Sequence, residues 1–555
     1  MCVDLNKLST GISNFEDLIL KNKIYVDKTK VIYQLSQNSD RPLLFTRPRR
    51  FGKSLLVSTF EYLFKQQLDL FKSLAIYKSW QDTNSYKVIR LDFSLTKAEN
   101  EKLFSLKFKE LLRRQFEKLN IQVSEPLSGL PEDYFLNFVD KCKAGEIVLL
   151  VDEYDAPLTY LMENKTEFEA VRNRLSCFYD TVKSYQNKFR FLFITGVTRY
   201  KNTSIFSAFN NLLDISTSYE YGALLGFTKE EIDTYFKPYI ANAASRLNCT
   251  QEDVYDNLKN YYDHYCFEKT ASVHVYNTWS ILNFFANVGN GNAFESYWGD
   301  TGGFSTLVAN FMAKQNKFEE LKACSVELLQ KFSCEDDNLI EIDFDTLNMA
   351  SNPMEMDTRV LMFQAGYLSI KRQLGGIGYF GIPNLEIKKL LNKIFFNKVY
   401  LPSLTEDIRS VYQDNITKLS IVKACIEHSL EKFVDYFNLI ANTTSYQANF
   451  FDNECTIRDL IYMIVLDKGF DCSIEKTSAK GRSDLELIYN QDRFVFEFKV
   501  AKTDSEIESK LNQAIEQIKS KDYGLTLPLK NTYRYALVFS KNQRQIVASR
   551  QLDKA

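Results

Sequence analysis

The octapeptide Arg47-Pro48-Arg49-Arg50-Phe51-Gly52-Lys53-Ser54 follows the apolar run Leu43-Leu44-Phe45 and precedes Leu55-Leu56-Val57, with Phe60 and Leu63 beyond. Gly-Lys-Ser between a short strand and an apolar helix is the layout of a phosphate-holding loop. In such a loop, backbone N–H groups and a helix N-terminus hold phosphate oxygens. The Lys reaches the terminal phosphates, and the Ser hydroxyl binds Mg²⁺. The usual pattern begins with a glycine where Arg47 stands, so the loop is either a variant nucleotide site or a decayed one. Arg47, Arg49 and Arg50 read as an electrostatic complement to phosphate rather than a solvated basic face.

A nucleotide loop needs a second strand that ends in an acid, to hold the metal, and a neighbouring acid to polarise water. The run Ile147-Val148-Leu149-Leu150-Val151-Asp152-Glu153 supplies both. Its unbroken apolar stretch reads as a buried parallel strand. Ligands bind at the edge where such strands end. Asp152 is assigned to the metal, Glu153 to water and Asp155 to support of the turn. A third apolar run, Phe191–Thr195, leads into Gly196-Val197-Thr198-Arg199, which places Thr195 and Arg199 as candidate phosphate sensors. Each signal is weak alone, but their order and spacing together specify a site for ATP and Mg²⁺.

A different chemistry is written near the other end of the sequence. Gly481–Tyr489 and Asp492–Val500 read as two strands joined through Asn490-Gln491. A period of two puts Glu497 and Lys499 on one face of the second strand, with Phe494, Phe496 and Phe498 on the other. A turn at Asn490-Gln491 pairs Asp484 with Glu497, while a turn at Gln491-Asp492 or a four-residue loop pairs it with Lys499. Each of these leaves Asp484 on the face of Glu497 and Lys499. Two such carboxylates suit Mg²⁺, which takes one or two carboxylates together with waters and phosphate. The chemistry is phosphodiester hydrolysis, with Asp484, Glu497 and Lys499 as catalytic residues. Glu-x-Lys by itself says little, since it recurs at 163–165, 320–322, 386–388 and 508–510 without a facing Asp.

Behind these groups stand 555 residues, too many for one core. With 45% apolar and 25% charged residues and a net charge of −2, the chain is no polybasic nucleic-acid binder, and any such surface is local. Ten Cys occur without a C-x-x-C pair, and His264, His274 and His428 lack ligand spacing, so neither a zinc site nor a disulfide framework is expected. The absence of a membrane span or a leader pattern leads to a cytoplasmic expectation. Tyr261, Tyr262, Tyr265 and Phe267 read as packing rather than base-stacking residues.

Three domains follow from the hydropathy pattern. Residues 1–225 alternate strands and helices as an α/β domain with a parallel sheet, its strands at Leu43–Thr46, Val88–Phe93, Ile147–Asp152 and Phe191–Thr195. Residues 226–435 are a mostly helical lid or linker, with helices at Leu321–Phe332 and Ile421–Phe433 and a small β or winged element near Tyr367–Ile370 and Gly375–Gly378. Residues 436–555 form a small αββαβ unit with helices at 456–468 and Asp504–Lys521 and a last strand at Tyr535–Ser540.

The Arg-Pro-Arg-Arg-Phe-Gly-Lys-Ser loop resembles that of a bacterial and archaeal AAA-ATPase-like family. So do Tyr25–Thr29, Ser58–Glu61, Trp80, Leu91–Ser94, Val151–Pro157, Thr195–Arg199, Gly226–Thr228, Tyr276-Asn277, Tyr297-Trp298 with Thr301-Gly302, and Gly366–Leu368. The resemblance implies that Arg in place of the first glycine is a family trait. It also implies a C-terminal PD-(D/E)XK nuclease superfamily domain of restriction-endonuclease-like fold, matched by Gly481–Asp484 and Phe496–Lys499. From the same resemblance come Glu454 as an added metal acid, Glu475 as a further acid, and Gln517–Lys519 with Tyr523 as the helix behind the active strand. His264 stands where the family has glycine, a departure expected to affect a turn.

The expectation is an ATP- and Mg²⁺-binding enzyme that cuts nucleic acid, DNA ahead of RNA, as a monomer or homo-oligomer. Whether ATP gates cleavage, drives movement or promotes assembly is left open. The competing reading is a nucleotide-switched scaffold or host-interaction protein whose nuclease fold is inactive.

Overall fold

The computed structural model describes residues 3–37, 41–199, 204–206, 209, 211–289, 294–299, 339–348, 357–395, 415–443, 454, 457–458, 461–462, 465, 471–478, 481–489, 492–521 and 531–552. The expected helix 321–332, the Thr301-Gly302 pair and Tyr523 lie outside them. The chain divides into two compact units, residues 1–304 with 334–387, and residues 305–333 with 388–555.

The first unit is built on β1 (Leu43–Thr46), β2 (Lys87–Asp92), β3 (Ile147–Asp152), β4 (Phe189–Gly196) and β5 (Leu213–Asp214). Their order is β2-β3-β4-β1-β5, with every pairing parallel. Every residue of β1 and β3 is buried, which is why both read as unbroken apolar runs. Helix α1 (Lys53–Phe64) leaves the loop after β1 and packs Phe60 against Phe191 and Phe193 of β4, at 5.0 and 5.1 Å between ring centroids. Because β4 lies between β1 and β3, its polar end stands between the loop and the acids of β3.

A second core of this unit is helical. It gathers α2 (Lys229–Tyr235), α3 (Lys237–Leu247), α4 (Gln251–Tyr262) and α5 (Thr278–Asn287) around Phe236, Ile240, Tyr262 and Phe284, with Leu8 and Val26 from the N-terminal segment. A three-stranded antiparallel sheet follows, β6 (Ile340–Asp343), β7 (Ser369–Leu374) and β8 (Ile377–Gly381), in the order β6-β8-β7. Gly375 and Gly376 turn the β7–β8 hairpin at φ 56° and 89°, where side chains are strained. Helix α6 (Leu385–Phe395) comes next in the chain.

The second unit holds a mixed five-stranded sheet in the order β13-β12-β11-β10-β9. Its strands are β9 (Asp471–Ser478), β10 (Gly481–Tyr489), β11 (Asp492–Ala501), β12 (Asn531–Ser540) and β13 (Gln545–Leu552). Only β11 and β12 pair in parallel, and helix α9 (Ile507–Ser520) lies between them in sequence, as a parallel pairing requires of its crossover. One sheet face packs Phe494, Phe496 and Phe498 against α7 (Asn415–Ile426) and α8 (Leu430–Thr443) through residues such as Ile421, Phe433 and Phe437. The other face packs Val495 and Ala536 against Ala514 and Ile518 of α9. The single helix expected at 421–433 is two helices, broken at 427–429 where His428 takes φ 56°. The edge strands β9 and β13 add to the expected αββαβ pattern. Their sequences, Asp-Cys-Ser-Ile-Glu-Lys-Thr-Ser and Gln-Ile-Val-Ala-Ser-Arg-Gln-Leu, carry the polar character edge strands need and lack a clear alternation.

Candidate functional site

Arg47 donates from its backbone N–H to the Gly196 carbonyl, and five residues later Gly52 adopts φ 97° to start α1. Between them Arg50 is also left-handed, at φ 67°. Lys53 is buried, and its ammonium donates to the carbonyls of Arg47 and Pro48 at 2.9 and 2.8 Å. Burial lowers the pKa of this lysine, and the nearby Glu153 and Asp152 oppose that shift.

A cavity of about 580 Å³ opens beside the loop. Its lining carries five basic side chains, Lys28, Arg49, Arg50, Lys53 and Lys97, and one acidic one, Glu153. Gly52, Ser54, Ser94, Trp279 and the apolar Ile12, Ile24, Leu55 and Leu225 complete much of the wall. Lys28 is partly neutralised by Glu231, 2.6 Å away. The balance suits an anionic ligand with an apolar end.

Asp152 ends β3 behind Ser54, with Arg90 Nη2 at 3.7 Å from its Oδ2. Burial raises its pKa, and the Ser54 hydroxyl pulls it back. Its Oδ1 is buried and has no hydrogen-bond partner among the described residues. Such an orphaned oxygen fits a cation ligand, because leaving it bare is costly. Glu153 leaves the strand at φ 51° and lines the cavity; its pKa is raised by burial and lowered by Lys53. Asp155 supports the turn, accepting from the Thr198 N–H at 2.7 Å, the Thr198 hydroxyl at 2.5 Å and the Val197 N–H at 3.2 Å. A Cβ at Gly196 would collide with the Asp155 carboxylate and the Tyr154 ring, so glycine is needed there.

Three residues expected at the phosphates point elsewhere. The Arg47 guanidinium donates to the carbonyls of Thr46, Ser216 and Tyr221 at 2.9, 2.7 and 3.0 Å. It also lies 4.3 Å from the Phe45 ring and 4.8 Å from the Phe267 ring. Burial first, then Arg199, push its pKa down to about 9, which leaves it charged at neutral pH. Position 47 is not among the residues with positive φ, so the backbone does not demand glycine there. Arg199 is buried with its Nε 3.1 Å from Thr46 Oγ1, and the Thr195 hydroxyl donates to the Phe45 carbonyl at 2.7 Å. None of these three lines the cavity. Their charge and polarity suggested phosphate contact, but backbone carbonyls take the donors of Arg47 and Thr195, and the Thr46 hydroxyl takes that of Arg199.

In the second unit, Tyr489 pairs with Asp492, so the hairpin has the two-residue connection, and the same register sets Asp484 against Glu497. The Asp484 carboxylate accepts the Phe498 N–H at 2.8 Å. Glu497 is fully buried and accepts from Lys499 Nζ at 2.9 Å. Burial raises the Glu497 pKa to about 7, with Asp484 adding to the shift and Lys499 opposing it. Asp484 is likewise raised by burial, against the Phe498 N–H. For Lys499 burial acts downward, but Glu497, Glu454 and Asp484 outweigh it and the pKa rises.

Glu497 Oε2 is buried with no hydrogen-bond partner among the described residues, again the signature of an oxygen suited to a cation. Glu454 approaches through Lys499, at 3.5 Å from its ammonium. Among the described residues no three His, Cys, Asp or Glu side chains cluster closely enough to hold a metal by themselves. The acids that fit are therefore Asp484 and Glu497, a set that leaves room for water and substrate oxygens. In register, Glu475 of β9 stands beside Asp484, between the pairs Ser483–Lys476 and Leu485–Ile474. Arg458, absent from the sequence reading, is buried four residues after Glu454 and favours the ionised form of Asp484. Its helical offset of four from Glu454 was the available signal.

Residues 9–206 match the family model described as "predicted AAA-ATPase", and residues 452–549 match that of the PD-(D/E)XK nuclease superfamily. The chain is also 27% identical to a protein of Azotobacter chroococcum mcd 1 named "uncharacterized protein in vnfD 5′ region", over 98% of each chain.

Two outcomes follow. Arg47→Gly, which rebuilds the usual first glycine, should lower stability by about 3 kcal/mol or more, read by chemical denaturation, because it strands three carbonyls and leaves a cavity. The second concerns pH in metal-free buffer. The folded Glu497 pKa stands above its ordinary 4.5, so its stabilising contribution is complete below that value and is lost as pH rises through about 7. Wild type should therefore lose stability relative to Glu497→Gln between about pH 5 and about pH 8, and the gap should shrink at the acid end. A wild type that gains on the variant with rising pH would contradict the assignment.

Proposed function

We propose, for a chain that carries an AAA-ATPase-like domain and a PD-(D/E)XK nuclease superfamily domain, an ATP-binding enzyme that hydrolyses phosphodiester bonds in nucleic acid with Mg²⁺, DNA ahead of RNA. The observation that carries this reading is the convergence of Asp484, Glu497 and Lys499 on one sheet face, with a buried, unpartnered oxygen on Glu497.

Asp484 and Glu497 would hold Mg²⁺, and Ser54 with Asp152 would hold the nucleotide's metal. When bound, Mg²⁺ polarises phosphoryl oxygens and acidifies bound water. The protein's own groups do the rest. Lys499, charged and held by Glu497, orients the attacking water and offsets charge that develops on the phosphate. Glu454 keeps that ammonium protonated and in place. In the first unit, Arg49, Arg50 and Lys53 meet the phosphates, and Glu153 faces the same cavity as the acceptor for water. The apolar end of the cavity suits a nucleobase. The functional layout we put forward has residues 1–225 as the nucleotide domain and control element, 226–435 as the intervening region and 436–555 around the nuclease centre, with α7 and α8 packed on the sheet of the last. No helix among the described residues is long and apolar enough to cross a membrane.

Glu497→Ala should abolish Mg²⁺-dependent cleavage of plasmid or RNA while leaving ATP affinity unchanged. Lys53→Ala should abolish ATP binding, measured by titration with a fluorescent ATP analogue. Wild-type protein that cleaves neither DNA nor RNA, with and without ATP, would overturn the nuclease reading in favour of a scaffold.

A further inference from the structure

All four carbonyls of Arg47–Arg50 have assigned donors. Lys53 takes the first two from within the loop. The other two are taken from outside it: Trp298 Nε1 donates to the Arg49 carbonyl at 3.1 Å, and Thr278 Oγ1 donates to the Arg50 carbonyl at 2.8 Å. In a planar trans peptide the C=O and N–H point in opposite directions. Fixing the carbonyls of 49 and 50 therefore fixes the N–H groups of Arg50 and Phe51. Trp298 is not among the cavity-lining residues and Thr278 is, so one of these hydrogen bonds reaches the loop from outside the cavity wall and the other from the wall itself.

The outside donors are themselves fastened. Glu386, fully buried at the start of α6, accepts from the Trp298 backbone N–H at 2.8 Å and from Ser280 Oγ at 2.8 Å. Ser280 belongs to the first turn of α5, two residues after Thr278. One carboxylate thus ties together the two segments that grip the loop. Gly366, at φ +93°, lets the chain pass against the loop, since a Cβ there would come within 2.8 Å of Pro48 Cβ. Arg50 itself is held by its guanidinium, 4.0 Å above the Trp279 ring. This accounts for a left-handed arginine that would otherwise be strained.

We infer that Trp298 and Thr278, locked by Glu386, are positioning residues for nucleotide binding: they fix the planes of the Arg49–Arg50 and Arg50–Phe51 peptides, and with them the course of the loop that meets the phosphates. The inference rests on the nucleotide reading of the cavity. Neither Trp298 nor Glu386 lines the cavity, so their effect on a ligand must pass through the loop; Thr278 does line it, so the variants at 298 and 386 carry the distinction from direct contact.

The test titrates the full chain with a fluorescent ATP analogue and competes it with ATP and adenosine. Trp298→Phe keeps an aromatic ring but loses the N–H donor together with part of the indole's volume, while Thr278→Val keeps the shape and loses the hydroxyl. Each should weaken ATP by about fivefold, the double variant by more, and adenosine not at all, since it has no phosphates for the loop to hold. Glu386→Ala should weaken ATP likewise, and Glu386→Gln, which still accepts from Trp298 and Ser280, should restore it. If Glu386→Ala fails to fold, the Trp298→Phe and Thr278→Val pair decides. A folded double variant that binds ATP within about twofold of wild type would overturn the inference. Wild-type protein that binds no ATP, with Lys53→Ala indistinguishable from it, would overturn the nucleotide reading itself and the inference with it.

Discussion

Buried backbone carbonyls and buried charges need partners, and the stretch Arg47–Lys53 meets that need almost entirely from itself and from distant segments. Lys53 holds the carbonyls of Arg47 and Pro48, and the Arg47 side chain holds those of Thr46, Ser216 and Tyr221. The same guanidinium that displaces the usual glycine therefore ties the end of β1 to the segment after β5. An arginine there is a structural choice: the backbone does not need φ > 0 at that position, and the buried side chain satisfies three backbone carbonyls. The loop's shape, its cavity and the direction of its remaining cations depend on that anchoring.

The second unit solves a related problem with opposite sign. Its sheet places two carboxylates at facing register positions; burial raises both pKa values, and Asp484 adds to the rise at Glu497. Lys499 relieves part of that cost and is in turn shared with Glu454. An arrangement that stores unfavourable charge in the absence of a cation is what a cation site requires. The same holds for the bare Asp152 oxygen behind Ser54. The two sites lie in different units and share no residue.

Much of this was legible from the chain. β3 was recognisable because a parallel strand buried on both faces must be apolar throughout, and Asp152 stands where the run stops. The face shared by Glu497 and Lys499 follows from the two-residue period, and the facing Phe residues do enter the core. Turn length was not legible, since all the even-length connections put Asp484 on that face; the pairing of Tyr489 with Asp492 chose among them. The edge strands β9 and β13 escaped notice because polar edges carry little periodic signal. Trp298 was only a residue in a motif, and Arg458 had no signal beyond its helical offset from Glu454.

By itself the sequence determined the residue types that can do chemistry, the order of the strands that carry them and the strand face on which each sits. These follow from local steric periods and from the rule that buried strands are apolar. Only the tertiary structure decided which charges face the cavity. Arg49, Arg50 and Lys53 line it, while Arg47, Thr195 and Arg199 are turned inward onto acceptors from β1 and from segments more than a hundred residues away. The physical reason is that a buried donor goes where an unsatisfied acceptor lies. The acceptors at Ser216 and Tyr221, like the donors at Thr278 and Trp298, become neighbours of the loop only when the chain is folded.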